Sequence, residues 1–161
     1  MYLITISDGL LRALRVKQDV QAVIFDYTPK KNVIFLLIGK LDALSHKRDW
    51  RLVKGGVEPG ETEIEALMRE IFEETGLKNV KVLDKIYSYE FFFRDTRHIV
   101  SSYLVKADSG EQVCISGASE RRPIVSYRWM DYESALRALR WKNEKIALKR
   151  GMKKINLMRA S

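Results

Sequence analysis

The sequence predicts an α+β domain, and three observations point to it. Two nearly continuous apolar runs, Val20 to Asp26 and Val33 to Gly39, read as buried strands joined by a turn at Tyr27 to Asn32 that contains Pro29. A long aromatic-rich run from Val80 to Phe93 and a second run from His98 to Lys106 flank Arg94-Asp95-Thr96-Arg97, which reads as an antiparallel hairpin. Between these pairs, and again from Tyr132, apolar residues recur at helical spacing. Strands, helix, strands and terminal helix in that order give helices packed on a sheet.

A chain of 161 residues suits a single domain, 1–161, with a sizeable core. No apolar run approaches the roughly 20 residues of a membrane span. The opening residues lack a basic n-region and a small-residue cleavage site, so a signal peptide is not expected. Cys114 is the one cysteine, which excludes an internal disulfide and fits a reducing, cytoplasmic setting. It is expected as a small buried strand residue rather than a nucleophile. The formal net charge of +8 suits a polyanionic partner, such as a nucleotide or an RNA end.

Residues 1–17 begin with a β-like run, Tyr2 to Ile6, and a turn, Ser7-Asp8-Gly9. Leu10 to Val16 reads as helix or strand, and the whole segment as an added edge strand or a contact for a second copy in a homodimer. After the second buried strand, Lys40 to Asp49 is polar, with His46-Lys47-Arg48 just before Trp50. Val57-Glu58-Pro59-Gly60 carries turn chemistry. Thr62 is placed as a helix N-cap with Glu65 completing a capping box, and Gly76 as a left-handed helix stop before Leu77.

On this helix Ile64, Leu67, Met68 and Ile71 share the expected core face. Glu70, Glu73 and Glu74 share another, at spacings of three and four that set like charges side by side. That repulsion makes sense around a hard cation, because Mg²⁺ takes oxygen ligands, typically one or two carboxylates plus substrate phosphates. Arg69 lies one turn from both Glu65 and Glu73, placed to brace the acids. In the hairpin, at least one of Tyr87, Tyr89, Phe91 and Tyr103 is expected to face a base; His98 is read as a strand-end residue. Asp108 to Pro123 is a polar connection containing Glu120, and Val125 to Met130 a last strand. A terminal helix, capped by Asp131, has an apolar side of Ala135, Leu136, Leu139, Ile146 and Leu148. The chain from Arg137 to Arg159 is strongly basic.

The stretch from Gly55 to Leu77 resembles the complete Nudix box: Gly, five residues, Glu, seven residues, Arg-Glu-aliphatic, one residue, Glu-Glu, one residue, Gly-aliphatic. Gly55, Glu61, Arg69-Glu70-Ile71, Glu73-Glu74 and Gly76-Leu77 fill every fixed position. The resemblance implies an α/β/α sandwich with a mixed central sheet, and a hydrolase of phosphoanhydride bonds using Mg²⁺, with Mn²⁺ as a substitute. It implies Glu73 and Glu74 as principal metal ligands and Glu70 as a third ligand or the general base. It also implies that Glu61 supports the cluster, that Arg69 orients it, and that a carbonyl of Lys54 or Gly55 adds to the metal shell. Lys54, Trp50, Arg51, Tyr89, Tyr103 and Glu120 are the candidate substrate contacts. The flanks, Trp50-x-x-x-Lys54-Gly55 and Tyr127-Arg128-Trp129 with Glu133, Ala135, Lys145, Leu148 and Gly151, resemble the asymmetrical diadenosine tetraphosphate hydrolases. RNA 5′ ends, nucleoside triphosphates and other nucleoside diphosphate derivatives are alternative substrates. A non-catalytic nucleotide- or RNA-binding module is the reading from another class.

Overall fold

A computed structural model describes residues 3–5, 11–42, 44–115 and 123–161. Its elements in chain order are β1 (Leu3–Thr5), β2 (Leu11–Ala13), β3 (Arg15–Tyr27), β4 (Val33–Leu41), β5 (Arg48–Arg51), β6 (Val53–Gly56), α1 (Glu63–Thr75), β7 (Val80–Phe93), β8 (Thr96–Ala107), β9 (Ile124–Asp131), α2 (Tyr132–Ala138) and α3 (Lys142–Ala160). The seven-stranded sheet runs β5-β4-β3-β8-β7, with β6 also paired to β3 and β9 to β4. The β3–β8 pair is parallel and the other pairs are antiparallel, so the sheet is mixed as expected.

Alternation along β3 explains the layers. Val20, Ala22 and Ile24 face one cluster, with Ala66, Leu67 and Ile71 of α1. Val23 and Phe25 face a second cluster, with Ala135, Ala147, Leu148 and Ile155 of α2 and α3. Helices therefore cover both faces, and the sandwich is α/β/α. Gly151 lets α3 lie close, since a Cβ there would sit 3.0 Å from Val23.

Several expectations change. Residues 15–17 belong to β3, and β1 with β2 forms a separate two-stranded ribbon rather than a new edge of the main sheet. The turn at 7–9 lies outside the described residues. The terminal helix is two helices, because Leu139 leaves helical geometry, buries its side chain and bridges to Trp50. Ile64 and Met68 are 43 % and 36 % exposed; the inward face of α1 is Ala66, Leu67, Ile71, Glu74 and Thr75. The helix is rotated so that Glu74, rather than Ile64 or Met68, enters the sheet side. Cys114 is exposed and outside any strand, its N–H donating to the Thr75 carbonyl.

Candidate active site

Local sequence sets the box in place. Glu61 N–H donates to the Glu58 carbonyl across Pro59-Gly60, and Gly60 takes the positive φ of 85° that this turn requires. The capping box forms as expected: Thr62 Oγ1 accepts from Glu65 N, and Glu65 Oε2 accepts from Thr62 N. Gly76, at φ 72°, ends the helix.

Arg69 is the hub. Its Nε donates to Glu61 Oε1 at 2.7 Å and one terminal nitrogen to Glu61 Oε2 at 3.0 Å, a two-point grip. That nitrogen also reaches the Gly56 carbonyl at 2.8 Å. The other terminal nitrogen holds Glu70 Oε1 at 2.8 Å and Glu73 Oε2 at 3.2 Å. The Glu61 bonds, foremost, hold the Arg69 guanidinium well above its ordinary value, while Arg69 in turn holds Glu61 below the usual carboxylate range.

Glu70 lies against Gly55, where an added Cβ would fall 1.9 Å from its carboxyl carbon. Glu74 is buried, accepting from Lys40 Nζ at 2.7 Å and from the Lys54 backbone N–H at 3.4 Å. Burial pushes both carboxyls up; the charges of Glu74 and Glu73 add to the rise at Glu70, and Lys40 only partly offsets it at Glu74. Among the described residues no group of three or more His, Cys, Asp or Glu side chains converges as a preformed metal cage. The donor chemistry nevertheless fits a hard cation. The glutamates offer only oxygen, and the mutual repulsion at Glu70 is what a divalent ion would relieve.

Beside the box, the α3 face of the sheet carries rings and polar side chains that outline a candidate groove. One wall is a row of rings: Tyr87 to Tyr89 at 5.4 Å, Tyr89 to Phe91 at 6.4 Å, Phe91 to His98 at 4.6 Å and 5° from parallel. Asp19, Gln21 and Ser102 are buried on the same face, with Ser102 Oγ donating to Gln21 Oε1. Lys54 Nζ lies 5.3 Å from the Phe91 ring and 3.4 Å from Asp19 Oδ2. The start of α3 closes the other side: Asn143 accepts from the Tyr87 hydroxyl, and Glu144 takes both Arg51 Nε and the Leu52 N–H. Trp141 carries Arg51 and Arg140 over its ring. Burial, then the Glu144 charge, pushes the Tyr89 phenol up.

Of the sequence candidates, Glu61, Arg69, Glu70 and Glu73 meet in one network, and Glu74 stands behind them. Lys54, Arg51 and Tyr89 border the groove. Tyr103 does not: it is buried on the α1 face and donates to Glu63, because odd positions of β8 point that way. Trp50 is half-buried against the α2–α3 cluster, under Arg48 and Arg128. Glu120 lies outside the described residues. Sequence reasoning missed Asp19, Gln21, Trp141 and Glu144, and gave His98 no role. A buried Asp and Gln alternating with apolar residues in β3 was the signal available. A cavity of about 420 Å³ along α3, lined by Tyr132, Lys149, Met152, Lys153, Asn156 and Leu157, contains no box residue.

The profile described as NUDIX domain matches residues 17–150. The chain belongs to the Nudix family. It is 28 % identical over 123 residues to the bis(5′-nucleosyl)-tetraphosphatase [asymmetrical] of Mus musculus, covering 73 % of this chain and 77 % of that one. It is 27 % identical over 109 residues to an RNA pyrophosphohydrolase of Bartonella tribocorum, over 65 % of this chain. The chain spans 61 % of that relative's length. Among solved structures, a C. elegans Ap4A hydrolase binary complex superposes with a TM-score of 0.73 at 20 % identity, covering 87 % of this chain and 98 % of that one. This likeness shows the fold. Among the described residues no helix is long and apolar enough to cross a membrane.

Proposed function

We propose that the protein is a divalent-metal-dependent pyrophosphohydrolase of nucleoside polyphosphates, with a dinucleoside tetraphosphate as its preferred substrate and Mg²⁺, or Mn²⁺ in its place, as cofactor. The observation that carries this reading is the Arg69 network, which sets Glu61, Glu70 and Glu73 beside a ring-lined groove. Glu73 and Glu74, with the Gly55 carbonyl, would hold the metal. When bound there, a divalent cation offsets phosphate charge and makes water a stronger nucleophile. Glu70, whose carboxyl is pushed up by burial, suits the general base, since a base works best near the operating pH. Lys54 binds a phosphate by charge-assisted hydrogen bonding, while Tyr89 and Phe91 on one side and Trp141 with Arg51 on the other grip a base.

Similarity to the murine tetraphosphatase supports the dinucleotide reading. The test offers purified protein with Mg²⁺ to dinucleoside polyphosphates, nucleoside triphosphates, sugar nucleotides and triphosphorylated RNA. Equal, feeble rates on all of them sink the dinucleotide reading, and salt-sensitive binding without turnover turns the protein into a binding module. A triphosphorylated RNA 5′ end is the second reading. Lys142, Lys145, Lys149 and Lys153 favour it: they stand at helical spacing along α3, which begins at the groove.

A further inference from the structure

His98 is the third residue of β8 and one of two histidines in the chain. Its Nδ1 lies 2.8 Å from Asp19 Oδ2. An ionised carboxylate only accepts, so Nδ1 carries the hydrogen and Nε2 is the nitrogen that gains or loses a proton. Asp19 is 5 % exposed and fixed within β3, and the ring is stacked on Phe91, so the imidazole is held on two sides. Nε2 has no hydrogen-bond partner among the described residues and is not among the enclosed polar atoms. The His98 side chain keeps 16 % of its surface accessible. The same Asp19 oxygen receives the Lys54 ammonium, which also lies over Phe91.

One buried carboxylate orients an imidazole and an ammonium at one end of the ring row, near the box glycines. Parallel pairing sets Lys17 alongside His98, and it is exposed. The charged and titratable groups around His98 are thus Asp19 and Lys17 on β3, Lys54 on β6 and Tyr89 on β7. Only one of the four is anionic near neutral pH, and it is already paired. A free phosphate oxygen is the group this arrangement lacks.

Resting on the nucleotide-groove reading above, we propose that His98 is a second phosphate contact, which with Lys54 clamps the polyphosphate chain of the substrate when the imidazole is protonated. Asp19 is a positioning residue that acts through both. The sign follows: binding of an anion favours the charged imidazole, so affinity falls as rising pH removes its proton.

The test is an NMR titration of the two histidine side chains in the intact, metal-free protein, with ADP, inorganic pyrophosphate and adenosine as separate probes. The expected result is that ADP and pyrophosphate move the His98 titration midpoint upward while adenosine does not, and that the exposed loop residue His46 stays put. ADP affinity is expected to weaken about tenfold between pH 5.5 and 8, and His98→Gln to abolish that dependence with the melting temperature preserved. If ADP perturbs Tyr89 and Trp141 but leaves His98 unmoved, the clamp is refuted and the groove stands. If neither ADP nor pyrophosphate perturbs any of these residues, groove and clamp fall together. A protein with no turnover whose His98 still responds to pyrophosphate supports the clamp and overturns only the hydrolase reading.

Discussion

Gly55→Ala tests the box geometry at its tightest point. A Cβ at position 55 would lie 1.9 Å from the Glu70 carboxyl carbon and 2.1 and 2.3 Å from its two oxygens. Real Cβ atoms essentially never approach within 3.0 Å, so the carboxyl must retreat by about 1 Å, from 1.9 to 3.0 Å. It cannot retreat freely, because Glu70 Oε1 is held at 2.8 Å by Arg69, which is itself fixed to Glu61 and the Gly56 carbonyl. A misplacement of about 1 Å in a catalytic group costs on the order of 100-fold in rate. The atoms that must move are the far end of a flexible side chain, so the stability cost is that of the charge-assisted bond to Arg69, about 1–3 kcal/mol, a melting shift of roughly 2–4 °C per kcal/mol for a chain of this size. The assay is steady-state release of phosphate products with Mg²⁺, alongside a thermal melt. We expect kcat down about 100-fold in a folded protein with KM little changed. A wild-type kcat in Gly55→Ala would show that Glu70 has no positional role, and the assignment of the base would fail.

Three further outcomes follow from the same geometry. Glu73→Gln is expected to cut turnover at least about 100-fold while circular dichroism and the melting temperature stay near wild type, because this carboxylate is half exposed and, among the described residues, held by Arg69 alone. Glu70 and Glu74 hold their protons more tightly folded than unfolded, so their contribution to stability is fully present below the ordinary carboxylate range and is lost as pH rises through their raised values. Urea melts of the metal-free protein from pH 4 upward should show that decline, and Glu70→Gln should flatten it; an equal slope in the variant argues against it. Glu144→Ala leaves the half-buried Arg51 guanidinium and the buried Leu52 N–H without their acceptor, and is expected to cost about 3 kcal/mol in urea unfolding. A cost below about 1 kcal/mol would mean that the pair behaves as a surface ion pair.

The fold was legible where local and global signals agree. The capping box, the Gly76 stop and the two apolar strands are each dictated by a few adjacent residues, and all of them appear. The box side chains were legible for the same reason: one continuous stretch from Gly55 to Leu77 carries both their spacing and their brace. The groove was not, because it is assembled across strands distant in sequence. Asp19, Lys54, Phe91 and His98 meet only through the β3–β6, β3–β8 and β7–β8 registers. Tyr103 was misplaced for want of one parity, since a shift of one residue in β8 exchanges the groove face for the α1 face. Ile64 and Met68 misled because they are apolar at helical spacing, whereas the helix turns to bring Glu74 to Lys40.

Lys54 shows why the box sits at this place in the sheet. Its backbone N–H points to Glu74 on the α1 side, and its ammonium points to Asp19 on the α3 side. One residue of β6 thus joins the acid cluster to the groove, and the next two are Gly55 and Gly56. A side chain at 55 would strike Glu70, and the carbonyl of 56 is needed by Arg69. Here the two faces of the sheet are joined at the end of a short strand, where Gly55 and Gly56 carry no side chains. A longer β6 with ordinary residues would bury the acids behind the sheet and separate them from the rings. The glycine pair therefore sets how close the acids lie to the ring row, and the helix that follows supplies the charge.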